Sequence, residues 1–441
     1  MMLNFFNKKN FLILTFTSYV FLWEIDKKIN INFDFRFIIL LLLPFLVSDF
    51  FKDSKKKNIC FYSLMLIFFI SLHQFYSNFF FNLQFILSGF FLLYLFLIAY
   101  YYYDLILENK ELILKIFISI FLFSIIIHFF FQSTTNPEPV SCGALKNYFR
   151  GNYNFLHFMS SYSLIYLENS HLAMTAVPLI LFCLFLFNEN KISLIKKFFF
   201  ISFIVICFLK SSATLLIGLI ISIFSFLLFE NKRIKKSLLL LFLILIFFII
   251  SLFLSDKICK EKLYTKYLGY NLISGSKYDQ KEKEDHVQDQ NTEVLDILGI
   301  KKDDILGIKK DGSLTGATFY HAYNVTYKSF LQKPFGWGFQ NYEVAFLNYN
   351  KIFNVTVDFL KNYNSKDATN NFFKITVEFG IFGLGFYFLL FLIMLSKKIA
   401  IDNKIFLFPF LITQSIRGAG YFNGGFILIV FIILFAQFKK K

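Results

Sequence analysis

The sequence predicts an all-α membrane protein, a polytopic helical bundle of about twelve transmembrane helices with one large loop outside the membrane. Of its 441 residues, 57% are hydrophobic and 68 are Phe, which is more apolar and far richer in Phe than a soluble protein of this length. Apolar stretches recur at the length that a transmembrane helix needs, about 20 residues. One long polar segment, residues 255–370, interrupts them.

The apolar stretches fall into two blocks on either side of the polar segment. We expect nine transmembrane helices in residues 1–254 and three in residues 371–441. The predicted segments are 11–23, 35–51, 59–76, 83–103, 112–131, 172–187, 198–209, 212–229, 237–254, 371–395, 404–416 and 422–438. Residues 198–229 fit either a hairpin or one long interrupted helix. No small-residue cleavage site follows the first segment, so we expect it to stay and anchor the chain.

The distribution of lysine predicts the orientation. With a cytoplasmic amino terminus, the loops at 52–57, 191–197, 232–236 and 397–404 are all basic and all cytoplasmic, whereas the short outer loop at 77–82 carries no charge. Basic residues accumulate in cytoplasmic loops. Both chain ends are then cytoplasmic, and residues 132–170 and 255–370 lie outside. For a protein of the bacterial inner membrane, which the Phe- and Lys-rich composition favours, that side is the periplasm.

Charge and cysteine usage exclude several other classes of protein. The net charge of +16 comes from short lysine clusters between apolar segments, so we expect no nucleic-acid partner. Five Cys form no CxxC pair, which argues against a zinc or redox site. Cys142 and Cys259 both fall on the predicted outer side, where an oxidising compartment would allow a disulfide; the sequence leaves open whether they pair.

The large outer loop has two parts of different character. Residues 274–312 are charged and repetitive, with the octapeptide DILGIKKD at 296–303 and again at 304–311. Such a composition predicts partial disorder. Aromatic residues return between Phe319 and Tyr349, where we expect ordered, helical structure.

Several polar residues on the predicted outer face are candidates for chemistry. Glu168 and His171 stand three residues apart where the helix at 172–187 begins, so they share one helix face and could act as a general base. The same stretch, Glu-Asn-Ser-His, also fits an ordinary amino-terminal cap. Arginine is scarce, and Arg150 and Arg417 lie beside glycine-containing turns. Because Arg binds phosphate bidentately, we predict that both contact a lipid diphosphate.

Three stretches resemble motifs of the bacterial O-antigen polymerase and ligase superfamily. KPFGWGFQNYE (333–343) resembles its P-x-x-G-x-G segment, and TNNFFKITVEFGIFGLG (369–385) resembles its E-x-G-x-x-G motif after the large outer loop. LENSHLAM (167–174) is similar to the E-P-S-H-x-A stretch of O-antigen polymerases. Two departures are visible. Thr369 and Asn370 stand where ligases carry a His-Asn pair, and His321 lies near the place of a common Arg.

This resemblance implies a metal-independent glycosyltransferase without a cofactor, embedded in the inner membrane and surrounded by membrane lipid. Its function would be to polymerise undecaprenyl-diphosphate-linked oligosaccharide repeat units, of O-antigen or a related surface polysaccharide, at the periplasmic face. Its partners would be the lipid-linked donor, the glycan acceptor and a chain-length regulator. Glu168 and His171 would be catalytic, and Arg150, Arg417, His321 and Lys210 would bind the diphosphate. The alternatives are a ligase that transfers the glycan to lipid A-core or protein and, in another class, a transporter or lipid-linked sugar flippase.

Overall fold

The computed structural model describes residues 7–24, 34–53, 56–78, 83–132, 166, 169–188, 193–209, 213–229, 314–350, 364–418 and 420–438. The elements up to the large loop are α1 (Lys8–Phe21), a 3-10 helix (Phe35–Leu42), α2 (Leu43–Lys52), α3 (Lys56–Asn78), α4 (Leu83–Glu108), α5 (Lys110–Gln132), α6 (Asn169–Asn188), α7 (Leu194–Leu209) and α8 (Ala213–Phe229). The remaining elements are α9 (Leu314–Gln332), α10 (Tyr342–Asn350), α11 (Asn371–Phe379), α12 (Ile381–Leu395), α13 (Ile401–Ile416), a 3-10 turn (Asn423–Gly425) and α14 (Phe426–Phe438).

Every regular element within these ranges is a helix, which confirms the predicted all-α class. Three of the helices hold stretches long and apolar enough to cross a membrane: Asn58–Ser77, Leu83–Glu108 and Ser170–Phe187. Shorter apolar stretches cover Thr214–Phe226, Ile381–Leu395 and Asn423–Gln437. This pattern supports a membrane protein, while the number of about twelve spans stays a prediction.

Two predicted segments are each divided in the structure. Segment 35–51 consists of a 3-10 helix followed by α2, and Pro44 stands in the first turn of α2, where the missing N–H of proline is tolerated. Segment 371–395 is divided at Gly380, which adopts a φ of 57° between α11 and α12. Glycine reaches that backbone conformation at little cost, whereas other residues do not. The division therefore has a local cause in the sequence.

The centre of the bundle is α6, which packs along α13 and against α8. Its residues from Leu172 to Cys183 are buried on every side, as expected of a helix that other helices surround. Gly218 of α8 allows the three helices to meet. A β-carbon at this position would lie 2.6 Å from Thr413 Cγ2 and 3.3 Å from Val177 Cγ2. Small residues permit this close approach between membrane helices.

At one end of the bundle, ion pairs connect residues that are far apart in the sequence. Lys110 Nζ lies 2.8 Å from Asp402 Oδ2, and Lys8 Nζ lies 2.6 Å from Asp49 Oδ1. Lys196 Nζ lies 3.4 Å from Glu111 Oε1. Each pair joins residues that the lysine distribution assigns to the cytoplasmic side. The helices α1 and α13 lead from these pairs to the opposite end of the bundle.

The assignment of the two sides can be tested with reporter fusions. A reporter that is active only in the cytoplasm should work when it is fused after Lys57, Lys197 or Lys236, and it should be silent when fused within 280–312. The reason is the excess of lysine in the loops placed inside. Enzyme activity of each fusion, normalised to its protein level, provides the measurement. A cytoplasmic signal from within 280–312 would contradict the orientation.

The carboxyl-terminal part of the large loop forms a second, smaller core. Ala322 and Val325 of α9, Ala345 and Phe346 of α10, and Val377 of α11 are buried together. The expected ordered helices between residues 319 and 349 are present, except that residues 333–341 form turns between α9 and α10. The repetitive stretch at 274–312, the segment at 237–254 and most of the outer loop at 132–170 lie outside the described residues.

Candidate functional site

Buried polar side chains gather at the end of the bundle opposite the ion pairs. We call Glu24, His171, Asn371, Gln414 and Arg417 the polar cluster. Glu24 follows α1, His171 lies in the first turn of α6, Asn371 begins α11, and Gln414 and Arg417 lie at the end of α13. All of them are buried except His171, whose side chain is 14% exposed. Ionisable groups inside an apolar bundle are costly, so they mark functional sites more often than surface charges do.

His171 and Glu24 form the closest pair in the cluster. His171 Nδ1 lies 2.7 Å from Glu24 Oε1, and the Glu24 side chain is only 1% exposed. This distance is that of an ion pair or a proton shared between the two groups. An imidazole that is protonated on Nδ1 keeps a lone pair on Nε2. The ring of Trp23 packs on the imidazole, with centroids 5.3 Å apart. A histidine held in this way has the geometry of a general base supported by a carboxylate.

Hydrogen bonds between α1 and α6 position this pair. The buried hydroxyl of Tyr166 donates to the carbonyl of Phe21 and lies 2.8 Å from Thr175 Oγ1. Thr175 Oγ1 in turn lies 2.9 Å from the Leu172 carbonyl. The carboxyl end of α1 is thus tied to the first turns of α6. This connection places Glu24 against His171 although the two residues are far apart in the sequence.

Glycines bring the other members of the cluster close to the pair. A β-carbon on Gly424 (φ 59°) would lie 3.0 Å from Gln414 Nε2 and 3.2 Å from Trp23 Nε1. Asn371 Nδ2 donates to Gln414 Oε1 over 3.2 Å. A β-carbon on Gly418 would lie 2.6 Å from Asn371 N. The glycine-rich stretch after Arg417 therefore allows α1, α11 and α13 to meet at one point.

The two glycine motifs, at 333–343 and 369–385, contact each other. Ile381 N donates to the Pro334 carbonyl over 2.8 Å, and Gly338 N donates to the Glu378 carbonyl over 2.9 Å. A β-carbon on Gly336 would lie 2.3 Å from Glu378 O, and one on Gly380 would lie 2.0 Å from Pro334 O. The PFGWG (334–338) and EFGIFG (378–383) stretches are therefore one structural unit, in which glycines permit backbone contact.

Glu378 holds this unit together through its carboxylate. Oε2 accepts hydrogen bonds from Gln340 N (2.9 Å) and from the Tyr421 hydroxyl (2.7 Å), and Oε1 accepts from Tyr342 N (3.3 Å). Burial and the neighbouring Glu378 raise the pKa of Tyr421, so the phenol keeps its proton and remains a donor. The carboxylate thus links the turn after α9 to the segment after α13.

Lys374 lies four residues before Glu378, a spacing that allows an ion pair along a helix. Its Nζ donates instead to the Lys366 carbonyl over 2.6 Å and lies 4.9 Å from the centroid of the Tyr421 ring. Backbone N–H groups and a phenol take the place of the lysine at the carboxylate. Lys374 itself belongs to the first turn of α11, three residues after the cluster residue Asn371.

The backbone before α11 adopts an unusual conformation. Ala368 and Thr369 have φ values of 56° and 60°, which is rare for a β-branched residue such as Thr. The Thr369 carbonyl accepts from Gly418 N over 3.1 Å, and the Asn370 side chain accepts from Phe373 N over 2.7 Å as the cap of α11. Such strain persists only where the surroundings impose it, and it concentrates at functional sites.

Of the predicted site residues, the structure describes His171, Arg417 and His321. The first two lie at the same end of neighbouring helices, since Thr413 Oγ1 of α13 lies 3.3 Å from the Met174 carbonyl of α6. His321 belongs to the second core, where its ring meets the edge of Phe346. Burial lowers the pKa of His321 to about 4, so its imidazole is neutral near pH 7. Glu168, Arg150 and Lys210 lie outside the described residues.

Sequence reasoning missed Glu24, Gln414 and Asn371. The only signal for Glu24 was an acidic residue at the outer end of the first apolar segment, directly after Trp23.

Among the residues that the structure describes, no group of three or more His, Cys, Asp and Glu could hold a metal ion.

Comparison with known proteins agrees with these motifs. Residues 197–388 match the family model described as O-antigen ligase. This range contains the whole of the paired glycine motifs, and the match confirms the resemblance to the O-antigen polymerase and ligase superfamily. It supports an enzyme of the ligase or polymerase type, with lipid-linked glycans as its general class of substrate. A search of curated proteins and a search of solved structures gave no match.

Proposed function

Because residues 197–388 match the family model described as O-antigen ligase, we propose that this protein polymerises undecaprenyl-diphosphate-linked oligosaccharide repeat units at the periplasmic face of the bacterial inner membrane. The observation that carries the proposal is the pair of the partly exposed His171 and the buried Glu24. It lies where α1, α6, α11 and α13 converge, at the end that the lysine distribution places outside.

The proposed reaction transfers a glycan between two lipid-linked units. The hydroxyl oxygen of the acceptor sugar forms a bond to the anomeric carbon of the donor. The bond from that carbon to the diphosphate oxygen breaks, and undecaprenyl diphosphate leaves with the electron pair. His171 Nε2 takes the proton of the attacking hydroxyl as general base. Glu168, which belongs to the same stretch, remains a second candidate for this role.

Charged side chains have two roles in this scheme. Glu24 holds the imidazole in the orientation that exposes Nε2 and stabilises the imidazolium that forms, as a carboxylate does in hydrolase triads. Arg417 and Arg150 stabilise the departing diphosphate through charge-assisted hydrogen bonds. Lys210 adds a further positive charge, while neutral His321 would contribute only a hydrogen bond.

Glycan ligation is the second candidate function, and the description of the matching family favours it. In a ligase the same attack would come from a lipid A-core or protein acceptor. Two features of the sequence favour polymerisation. Thr369 stands where ligases of the superfamily have a His, and the Glu-Asn-Ser-His stretch is similar to that of the polymerases.

The surface glycan of a deletion strain distinguishes the two reactions. Loss of a polymerase should leave lipopolysaccharide or capsule carriers capped with a single repeat unit, because transfer still occurs without elongation. Loss of a ligase should leave the carriers uncapped and long chains attached to undecaprenyl diphosphate. We expect the first pattern on a gel, with the ladder restored by the wild-type gene. Uncapped carriers with long lipid-linked chains would contradict polymerisation.

A further inference from the structure

Helix α9 exposes four large apolar side chains, two of which, Phe319 and Tyr323, also contact the ring of Phe373 in α11. Phe319, Tyr323, Tyr327 and Leu331 are 45%, 48%, 54% and 63% exposed. They are spaced four residues apart, so they form one continuous stripe along the helix. We call these four residues the α9 stripe. The rings of Tyr323 and Tyr327 are stacked, with centroids 6.4 Å apart.

The opposite face of α9 is made of small and partly polar residues. Ala322, Val325, Thr326 and Ser329 are buried against the second core. A helix at the surface of a water-soluble domain shows the reverse pattern, with large apolar residues inside and polar ones outside. An exposed apolar stripe of this kind marks a surface that meets an apolar partner. Helix α9 is therefore built to face a medium other than water.

The α9 stripe continues directly onto helices that are candidates to span the membrane. Phe335 follows Leu331 by four residues and is itself exposed. Its ring lies 5.8 Å from the ring of Tyr76 at the end of α3 and 5.9 Å from that of Phe382 at the start of α12. Tyr76 and Phe382 are also exposed. One apolar surface thus extends from the outer ends of α3 and α12 along α9.

We propose that α9 lies in the outer boundary of the lipid bilayer, with the α9 stripe immersed at the level where headgroups meet acyl chains. Tyrosine suits this position, because its ring is apolar and its hydroxyl reaches water. The helix is then an interfacial element rather than a part of a water-exposed loop. This inference is independent of the proposed reaction, since it concerns the partner of a surface and not the chemistry of the polar cluster.

Quenching of tryptophan fluorescence by brominated lipid tests the immersion of α9. Full-length Tyr323→Trp and Tyr327→Trp proteins would be reconstituted in phosphatidylcholine vesicles with bromine either just below the headgroup or near the chain ends. The two native tryptophans, Trp23 and Trp337, are buried, and wild-type emission measured in the same vesicles is subtracted. Lys366→Trp is the control, because the Lys366 side chain is 69% exposed in the turn before α11.

We expect shallow bromine to remove most of the added emission of both stripe variants, deep bromine to remove less, and Lys366→Trp to stay bright in both. The proposal would be overturned if the stripe variants kept as much emission in vesicles with shallow bromine as the Lys366→Trp control. Emission that changes with the protein-to-lipid ratio instead of with bromine would assign the stripe to a second copy of the chain. If the emission of the added tryptophan escapes quenching only after lipid-free oligosaccharide is added, the α9 stripe binds glycan. Either result also contradicts immersion in lipid.

Discussion

His171→Ala should abolish chain elongation while the protein accumulates normally in the membrane. The side chain is 14% exposed and its Nδ1 lies 2.7 Å from Glu24 Oε1. Because the side chain lies partly at the surface, its removal eliminates the proposed base without opening a large cavity. Loss of a proton-transfer group lowers a rate by about 10²–10⁴-fold. The glycan ladder on a gel and the amount of membrane protein on an immunoblot would both be measured. Normal ladders at normal abundance would exclude His171 as the base.

Glu24→Gln tests whether the carboxylate acts through His171. The amide keeps the size of the side chain but not its charge, so we expect a loss of elongation smaller than that of His171→Ala. The double variant should be no less active than His171→Ala alone, because residues that act as one unit have non-additive effects. Glu343→Gln, which changes a surface carboxylate of α10, is the matched control. Additive losses would show that Glu24 has a separate role.

Gly380→Ala should prevent the protein from accumulating in a folded form. Gly380 has a φ of 57°, and a β-carbon there would lie 2.0 Å from the Pro334 carbonyl oxygen. The strained backbone alone costs about 1–3 kcal/mol, and the overlap would also separate the two glycine motifs. Size-exclusion chromatography of detergent-solubilised protein should therefore show aggregation or a low yield, together with a reduced melting temperature.

Gly385→Ala is the control for this substitution. Gly385 lies in α12 with no neighbouring atom within 4 Å of a β-carbon, and alanine favours helix by about 1 kcal/mol over glycine. We expect normal yield and an unchanged or slightly higher melting temperature. If Gly380→Ala behaves like Gly385→Ala, the contact between the two motifs does not hold the fold together.

The sequence was most informative where a feature repeats or follows a rule of spacing. Apolar stretches predicted a helical membrane protein, and the ion pair between Lys110 and Asp402 joins two loops that lysine counting assigns to one side. The glycine motifs were recognised separately, but nothing in the sequence shows that Gly336 and Gly380 touch. Their contact depends on a fold that brings together residues more than forty positions apart.

The polar cluster could not be predicted as a whole for the same reason. Glu24 follows α1, His171 lies in α6 and Gln414 in α13, and a single acidic residue after a transmembrane segment is an ordinary feature. His171 stood out only because Glu168 precedes it by three residues, whereas the structure places Glu24 on its imidazole. The break at Gly380 was also missed, because a glycine inside a predicted helical segment does not by itself show that the helix ends there.

Reconstituted polymerisation tests the central claim most directly. Purified full-length protein would be placed in vesicles with undecaprenyl-diphosphate-linked repeat units as the only glycan, and the lipid-linked products would be separated by size. We predict products of two and more repeat units, with free undecaprenyl diphosphate released for each bond formed, and loss of both in the His171→Ala variant. Repeat units that stay single unless a lipid A-core or protein acceptor is supplied would contradict polymerisation and identify a ligase.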